Sequence, residues 1–173
     1  MSMVQLFHRN MSNLQESSRI AEWIVGFTDG EGCFSVSIFR NKTAKLGWQV
    51  FPEFVIAQGE KSLAALHIFE DYFGCGKIYV NKRYDNHHEP LYRYCVRTVD
   101  DLDGKIIPFF SMHELRTAKS KDFALFARII TLMQKREHLT LEGMITIARL
   151  VEKMNHKKAS NFLKSSEAIR CAS

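Results

Sequence analysis

Several large classes of protein are excluded by what this sequence does not contain. No apolar run comes near the roughly 18 residues that a membrane-spanning helix needs. Met1 to Asn10 carries one Arg and one His and no sustained apolar core, so it reads neither as a secretory signal nor as an organellar transit peptide. The four cysteines, Cys33, Cys75, Cys95 and Cys171, show no C-x-x-C spacing. That argues against a zinc site or a disulfide framework and for reduced thiols in an intracellular protein. No glycine-rich, phosphate-cradling loop is present, which disfavours nucleotide hydrolysis. There is no internal repeat and no composition shift that would mark a domain boundary.

What is present describes one globular domain. The chain has 173 residues, of which 46% are hydrophobic, enough to bury a sizeable core. The formal net charge of +5 suggests a polyanionic partner.

The most informative stretch runs from Trp23 to Phe34. Ile20, Trp23, Ile24 and Phe27 recur at helical spacing, with Ser17 and Ser18 as candidate N-caps. Gly26 and Gly30 lie on one flank, where a partner helix could approach backbone to backbone. Asp29 and Glu31 then arrive at the helix end between glycines. An acid there is mildly unfavourable against the helix dipole, so a purpose other than helix stability is expected. The period then changes to two: Phe34, Val36 and Ile38 alternate with Ser35, Ser37 and Phe39, which predicts a strand.

The rest continues in alternation. A polar turn over 41–47 leads to a second strand over 48–57, in which Pro52 suits an edge or bulge. A helix over 60–73 stops at Gly74. Strands follow over 77–82, with Ile78 and Val80 on its core face, and over 92–99. Helices over 102–110, 120–136 and 141–154 close the chain, the last capped by Thr140. The expected fold class is α+β: one four-stranded antiparallel sheet with helices on one face. The expected division is an N-terminal extension (1–16), a single domain (17–156) and a polar, basic tail (157–173).

The uncovered sheet face would carry Ser35, Ser37, Gln49, Glu53, Lys77, Tyr79, Asn81, Arg93 and Arg97, with Arg40, Lys42, Lys45, Lys82 and Arg83 near the turns. An antiparallel sheet can leave one face to water. Guanidinium, amide and hydroxyl groups in these numbers are also the groups that read base edges and grip phosphates. His87-His88-Glu89, in a hairpin turn, has no partnering His/Asn constellation and reads as an exposed or phosphate-contacting loop.

The segment Ile24-Val25-Gly26-Phe27-Thr28-Asp29-Gly30-Glu31-Gly32 resembles the signature motif of the LAGLIDADG homing endonucleases. The order of elements from Ser17 to Met154 is similar to theirs throughout. The resemblance implies an α-β-β-α-β-β-α unit whose open sheet face forms a saddle on double-stranded DNA. It implies an intron-encoded double-strand endonuclease that hydrolyses phosphodiesters with Mg²⁺, located in a prokaryotic cytoplasm or an organelle. One motif resembles the homodimeric branch acting on long pseudo-palindromic sites. Trp23, Gly26, Phe27 and Gly30 would form the dimer contact. Glu31 matches the metal-binding acid, where the family usually has Asp, and the Gly30 carbonyl would be its co-ligand. Gln58 corresponds to a polar residue near the attacking water. Lys119, or Lys121 if the register shifts, corresponds to a basic residue near the scissile phosphate. Asp29 is expected to be structural. The alternative implied by the family is an RNA maturase or a non-cleaving DNA-binding protein. No nucleotide cofactor or membrane partner is expected.

Overall fold

The structure, a computed structural model, describes residues 3–81, 90–154 and 161–165, with side chains described from residue 15 onward. Helix α1 (Met3–Glu31) leads into strands β1 (Gly32–Arg40) and β2 (Trp48–Gly59), then helix α2 (Leu63–Phe73), β3 (Lys77–Asn81) and β4 (Leu91–Val96). A short α3 (Val99–Asp101) passes through a π-helical segment (Leu102–Ile106) into α4 (Ile107–Met112), followed by α5 (Lys119–Gln134) and α6 (Leu141–Met154). The expected α+β class and element order hold.

Helix α1 begins well before the serines expected to cap it. No Gly or Pro interrupts residues 3–25, so nothing in the chain stops the helix there. Ser17 and Ser18 are therefore interior helical residues, and the expected N-terminal extension is helical from Met3. The buried side of α1 is set by Ala21, Ile24 and Thr28, while Trp23 stands at the rim with 38% of its surface exposed.

The sheet order is β1-β2-β4-β3, with every neighbouring pair antiparallel. Strand β2 is central, yet it contains Pro52. Strand β4 ends at Val96, opposite Phe54, so at Pro52 the strand has a neighbour on one side only and behaves as an edge. The expected fourth strand ends earlier than its alternation suggests. Thr98 leaves the ladder to cap α3, its hydroxyl accepting from the Asp101 N–H (3.3 Å) and donating to the Asp101 carboxylate (2.6 Å). Gly74 ends α2 in a left-handed conformation (φ 55°), and the Thr140 hydroxyl accepts from Gly143 N–H (3.1 Å) at the start of α6.

The helices cover one face. Phe34, Val36, Val50, Phe54, Ile56 and Tyr94 meet Leu66 and Phe69 of α2, Phe110 of α4, Phe126 and Ile129 of α5, and Ile147 of α6. Around Phe34 the rings of Phe54, Phe110, Phe123 and Phe126 stand at centroid distances of 5.0, 5.4, 5.2 and 5.4 Å. The helix layer stops short of the β3 end: Ile78 is half-buried and Val80 is 52% exposed, against the expectation that both line the core. The expected tail is not wholly outside the domain. Phe162 is fully buried and meets Trp48 edge to face at 5.4 Å, because its phenyl ring gains more from the core than from water.

The passage from α1 to β1 takes no spare residue and depends on Gly32. A Cβ at Gly32 would lie 2.6 Å from Thr28 Cγ2 and 2.9 Å from the Thr28 carbonyl oxygen, which is backbone and cannot swing away. Gly32→Ala is expected to destabilise by about 1–3 kcal/mol, as overpacking does. Gly26→Ala, where no atom lies within 4 Å of the new carbon, serves as the control. Thermal unfolding by circular dichroism of the two variants checks this; equal melting temperatures would contradict it.

Candidate active site and nucleic-acid interface

The last carbonyls of an α-helix lack intrahelical partners and carry the negative end of its dipole. At the end of α1 two of them, together with the first carbonyl of β1, are taken by one side chain. Lys119, at the start of α5, directs its ammonium to the carbonyls of Thr28 (3.0 Å), Gly30 (3.5 Å) and Gly32 (2.5 Å). Asp29 makes the reciprocal contact. Its carboxylate accepts from the backbone N–H of Arg116 (2.7 Å) and Thr117 (3.2 Å) and from the Thr117 hydroxyl (2.7 Å), just ahead of α5. Partial burial works to raise the Asp29 pKa. The N–H and hydroxyl bonds and the Lys119 charge outweigh it, and the pKa is lowered from its usual value. A base from α5 thus holds the end of α1, and an acid from α1 holds the start of α5.

This junction fixes Glu31, the last residue of α1. Its side chain is exposed and makes no hydrogen bond or ion pair with another described residue. Gln58 belongs to the same end of the sheet: Gly32 pairs with Ile56, so Gln58 lies two residues past the start of β1, paired with Tyr92 of β4. The structure therefore brings together Glu31, the Gly30 carbonyl and Lys119. It sets Gln58 nearby without a hydrogen bond to them among the described residues. Lys119, not Lys121, reaches the end of α1; Lys121 is exposed on α5. Among the described residues no group of three or more His, Cys, Asp or Glu side chains could hold a metal ion, so one chain offers one carboxylate and one carbonyl here.

The flank of α1 facing away from the core is open. Gly26 and Gly30 are exposed, with no atom within 4 Å of where a Cβ would stand. Trp23 packs at a tilt against Phe27 (4.9 Å) and Phe69 (5.6 Å) beside them.

The open sheet face carries most of the residues expected on it. Ser37, Lys77, Tyr79 and Asn81 are exposed, and Ser35 is half-buried. Lys42 and Lys45 are exposed in the turn over 41–47, which Asn41 shapes: its side chain accepts from Thr43 N–H (3.0 Å) and hydroxyl (2.7 Å) and donates to Gln49 (2.6 Å). Arg40 lies over the Trp48 ring at 4.2 Å. Lys82, Arg83 and the His87-His88-Glu89 turn lie outside the described residues.

Glu53 departs from the expectation that it meets DNA itself. It is only 8% exposed, with its carboxylate between Arg93 Nη2 (2.9 Å) and Arg97 Nε (2.7 Å). Two guanidinium groups cover it, so it is not a surface contact. The sequence reading also missed Thr117 and Asn41, and it did not foresee the buried Cys95 beneath the arginines. Burial pushes the Cys95 thiol up to about 11, so it is protonated at neutral pH. Thr117 carries no signal in sequence, since 88 positions separate it from Asp29. No helix of the described chain is long and apolar enough to cross a membrane.

Because the Asp29 pKa is lowered on folding, its contribution to stability is present above the unfolded value, about 4, and is lost as pH falls through the folded value. Asp29→Asn is expected to cost about 1–2 kcal/mol at neutral pH, with solvent screening at this partly exposed site keeping it modest. The gap between wild type and variant should narrow as pH falls below about 4. Denaturant melts of both proteins across that range check it; a gap independent of pH would count against the ionised contact.

Comparison with known proteins agrees with the geometry. The family model described as LAGLIDADG endonuclease matches residues 24–130. The chain is 40% identical to the crystal structure of a homing endonuclease, I-TnaI, with a TM-score of 0.74, covering 87% of this chain and 97% of that one. The I-LtrWI LAGLIDADG homing endonuclease bound to target DNA is 30% identical with a TM-score of 0.77, over 86% of this chain and 48% of that one. A curated relative, probable intron-encoded endonuclease 3 of Neurospora crassa, is 31% identical over 151 residues, 86% of this chain. The chain spans 27% of that relative's length and 29% of a second from the same fungus, probable intron-encoded endonuclease 2. With a family match over more than half its length and its fold shared with solved members, the chain belongs to the LAGLIDADG endonuclease family.

Proposed function

We propose that this chain is a site-specific double-strand DNA endonuclease that acts as a homodimer on a long, pseudo-palindromic site and requires a divalent cation such as Mg²⁺. The observation that carries the reading is the end of α1, which presents an exposed Glu31, without a hydrogen bond or ion pair among the described residues, beside a carbonyl already facing a cationic group, at one end of a polar sheet face.

The residues suit a hard cation. Glu31 is exposed, the Gly30 carbonyl lies 3.5 Å from the Lys119 ammonium, and both offer oxygen donors of the kind Mg²⁺ takes. Such a cation would supply Lewis-acid stabilisation of a leaving oxygen and an acidified water. Lys119 has three N–H donors and three carbonyl partners, so contact with a phosphate requires it to exchange one. The longest contact, to Gly30, is the least firmly held, and its release would also free that carbonyl. The Gln58 amide, on the central strand at this end, would orient a water by hydrogen bonding. Arg93 and Arg97 would meet base edges, while Lys42 and Lys45 would meet phosphates.

Assembly follows from the open flank of α1. A family domain that spans 97% of one relative and 48% of another can pair with a second copy or with a second domain. The exposed Gly26 and Gly30 beside Trp23 favour close packing of two α1 helices about a two-fold axis, which would place two Glu31 carboxylates together.

Glu31→Gln is expected to abolish cleavage of a duplex selected from a randomised library while retaining binding in mobility shift, since affinity comes from the sheet and phosphate contacts. Chelation by EDTA should reproduce the variant. Cleavage by Glu31→Gln would remove that carboxylate from the mechanism, and binding without cleavage by the wild type would favour the non-cleaving alternative.

Light scattering of the wild type should give twice the 20.0 kDa of one chain, and Gly26→Leu should give one. The variant should still fold, because the new side chain meets open space within the chain. A fully active wild type at the mass of one chain would sink the homodimer.

A further inference from the structure

The open face holds one arrangement that the proposed reading of DNA does not by itself require. Glu53 of β2 and Arg97, the residue just past β4, stand opposite each other one step beyond the last regular pair, since Phe54 pairs with Val96. Arg93 lies on the same face, paired with Ala57. The two oxygens of Glu53 are divided between the arginines: Oε1 accepts from Arg97 Nε (2.7 Å) and Oε2 from Arg93 Nη2 (2.9 Å). The carboxylate side chain is 10% exposed, and each arginine side chain is 35% exposed. Arg97 is held further by the Tyr79 ring beneath its guanidinium (4.7 Å) and by its Nη2 directed at Cys95 Sγ (3.7 Å). On the other side the Ser35 hydroxyl points to the Glu53 carbonyl (3.5 Å). This row of contacts thus joins β1, β2 and β3 with Arg93 of β4 and with Arg97 just past its end.

Two consequences follow. The first is orientation: with Nε and one edge engaged by Glu53 and Cys95, Arg97 is left with its terminal Nη edge to offer, and Arg93 with the donors not given to Glu53. Rigid planar donors set at a fixed angle can discriminate guanine bidentately; freely rotating ones grip any acceptor. The second is charge. Glu53 cancels one of two positive charges on a surface that would face a polyanion, which weakens attraction to all duplexes alike.

Resting on the DNA reading above, we infer that Glu53 is a specificity-determining positioning residue, which fixes Arg93 and Arg97 for base readout at the expense of general affinity. The nearly buried carboxylate shared by both guanidiniums supports this, as does the Tyr79 ring under Arg97. The bond to Glu53 also raises the Arg97 pKa.

The test uses the full chain with a random-sequence duplex library, bound and sequenced at several salt concentrations. Glu53→Ala should flatten base preference by about tenfold or more at the positions lost in Arg93→Ala and Arg97→Ala. At the same time it should strengthen binding to the unselected library and steepen its salt dependence. Glu53→Gln keeps one acceptor and should lie between. A merely structural carboxylate would lower the melting temperature and the affinity for all sequences together, leaving the preference intact; that result overturns the proposal. A second measurement does not depend on DNA. The Arg97 Nε–H resonance should be shifted and protected from exchange in the wild type and lose both properties in Glu53→Ala. An unprotected signal in the wild type, or an unchanged one in the variant, overturns the clamp. A wild type that selects no sequence while the Nε–H signal behaves as expected overturns the DNA reading and the specificity role, and leaves the clamp standing as a structural feature.

Discussion

The Lys119 ammonium, set against two carbonyls at the end of α1 and the first carbonyl of β1, is the contact on which the candidate site depends. A helix that ends at the edge of a sheet leaves its last carbonyls exposed and its dipole uncompensated. Here the compensation comes from a different helix, so it joins two elements 87 or more positions apart while solving a local problem. Asp29 closes the joint from the other side. Two charge-assisted contacts of opposite sense fix both position and rotation of α1 relative to α5, and Glu31 lies between the Gly30 and Gly32 carbonyls that Lys119 faces. An acid in that place would otherwise fray with the helix end.

The same joint explains the unusual density of small residues. Gly32 allows helix to become strand with no intervening loop, because its α-carbon passes against Thr28. Gly26 and Gly30 have no such neighbour within the chain. Three glycines in one short segment therefore have two distinct physical reasons. One is internal and steric; the other is turned outward, towards the second helix that the proposed assembly requires.

On the opposite face of the sheet, electrostatics are moderated rather than maximised. The chain carries a net charge of +5, yet its central pair of arginines shares a carboxylate. In the proposed function, long-range attraction would come from lysines at the turn over 41–47, and the geometry of contact from the arginines that share Glu53. Cys95, protonated and apolar beneath the arginines, gives this row a floor that adds no charge.

Much of this was legible in the sequence. The change of period at Gly32, the stop at Gly74 and the cap at Thr140 each follow from the chemistry of neighbouring residues, and the α+β order follows from them. The motif from Ile24 to Gly32 also carried the family. Elements whose limits depend on neighbours in space were misread: α1 runs on past Ser17 because nothing in the chain stops it, β4 yields Thr98 to a cap, and Phe162 leaves a basic tail for a pocket beside Trp48. Alternation along a strand shows that Glu53, Arg93 and Arg97 share a face, but a period of two is blind to pairing register. Only the tertiary structure set Glu53 opposite Arg97, Asp29 against Thr117 and Lys119 under Gly30, because each contact joins groups remote in the chain whose distance is fixed by how the sheet and helices pack.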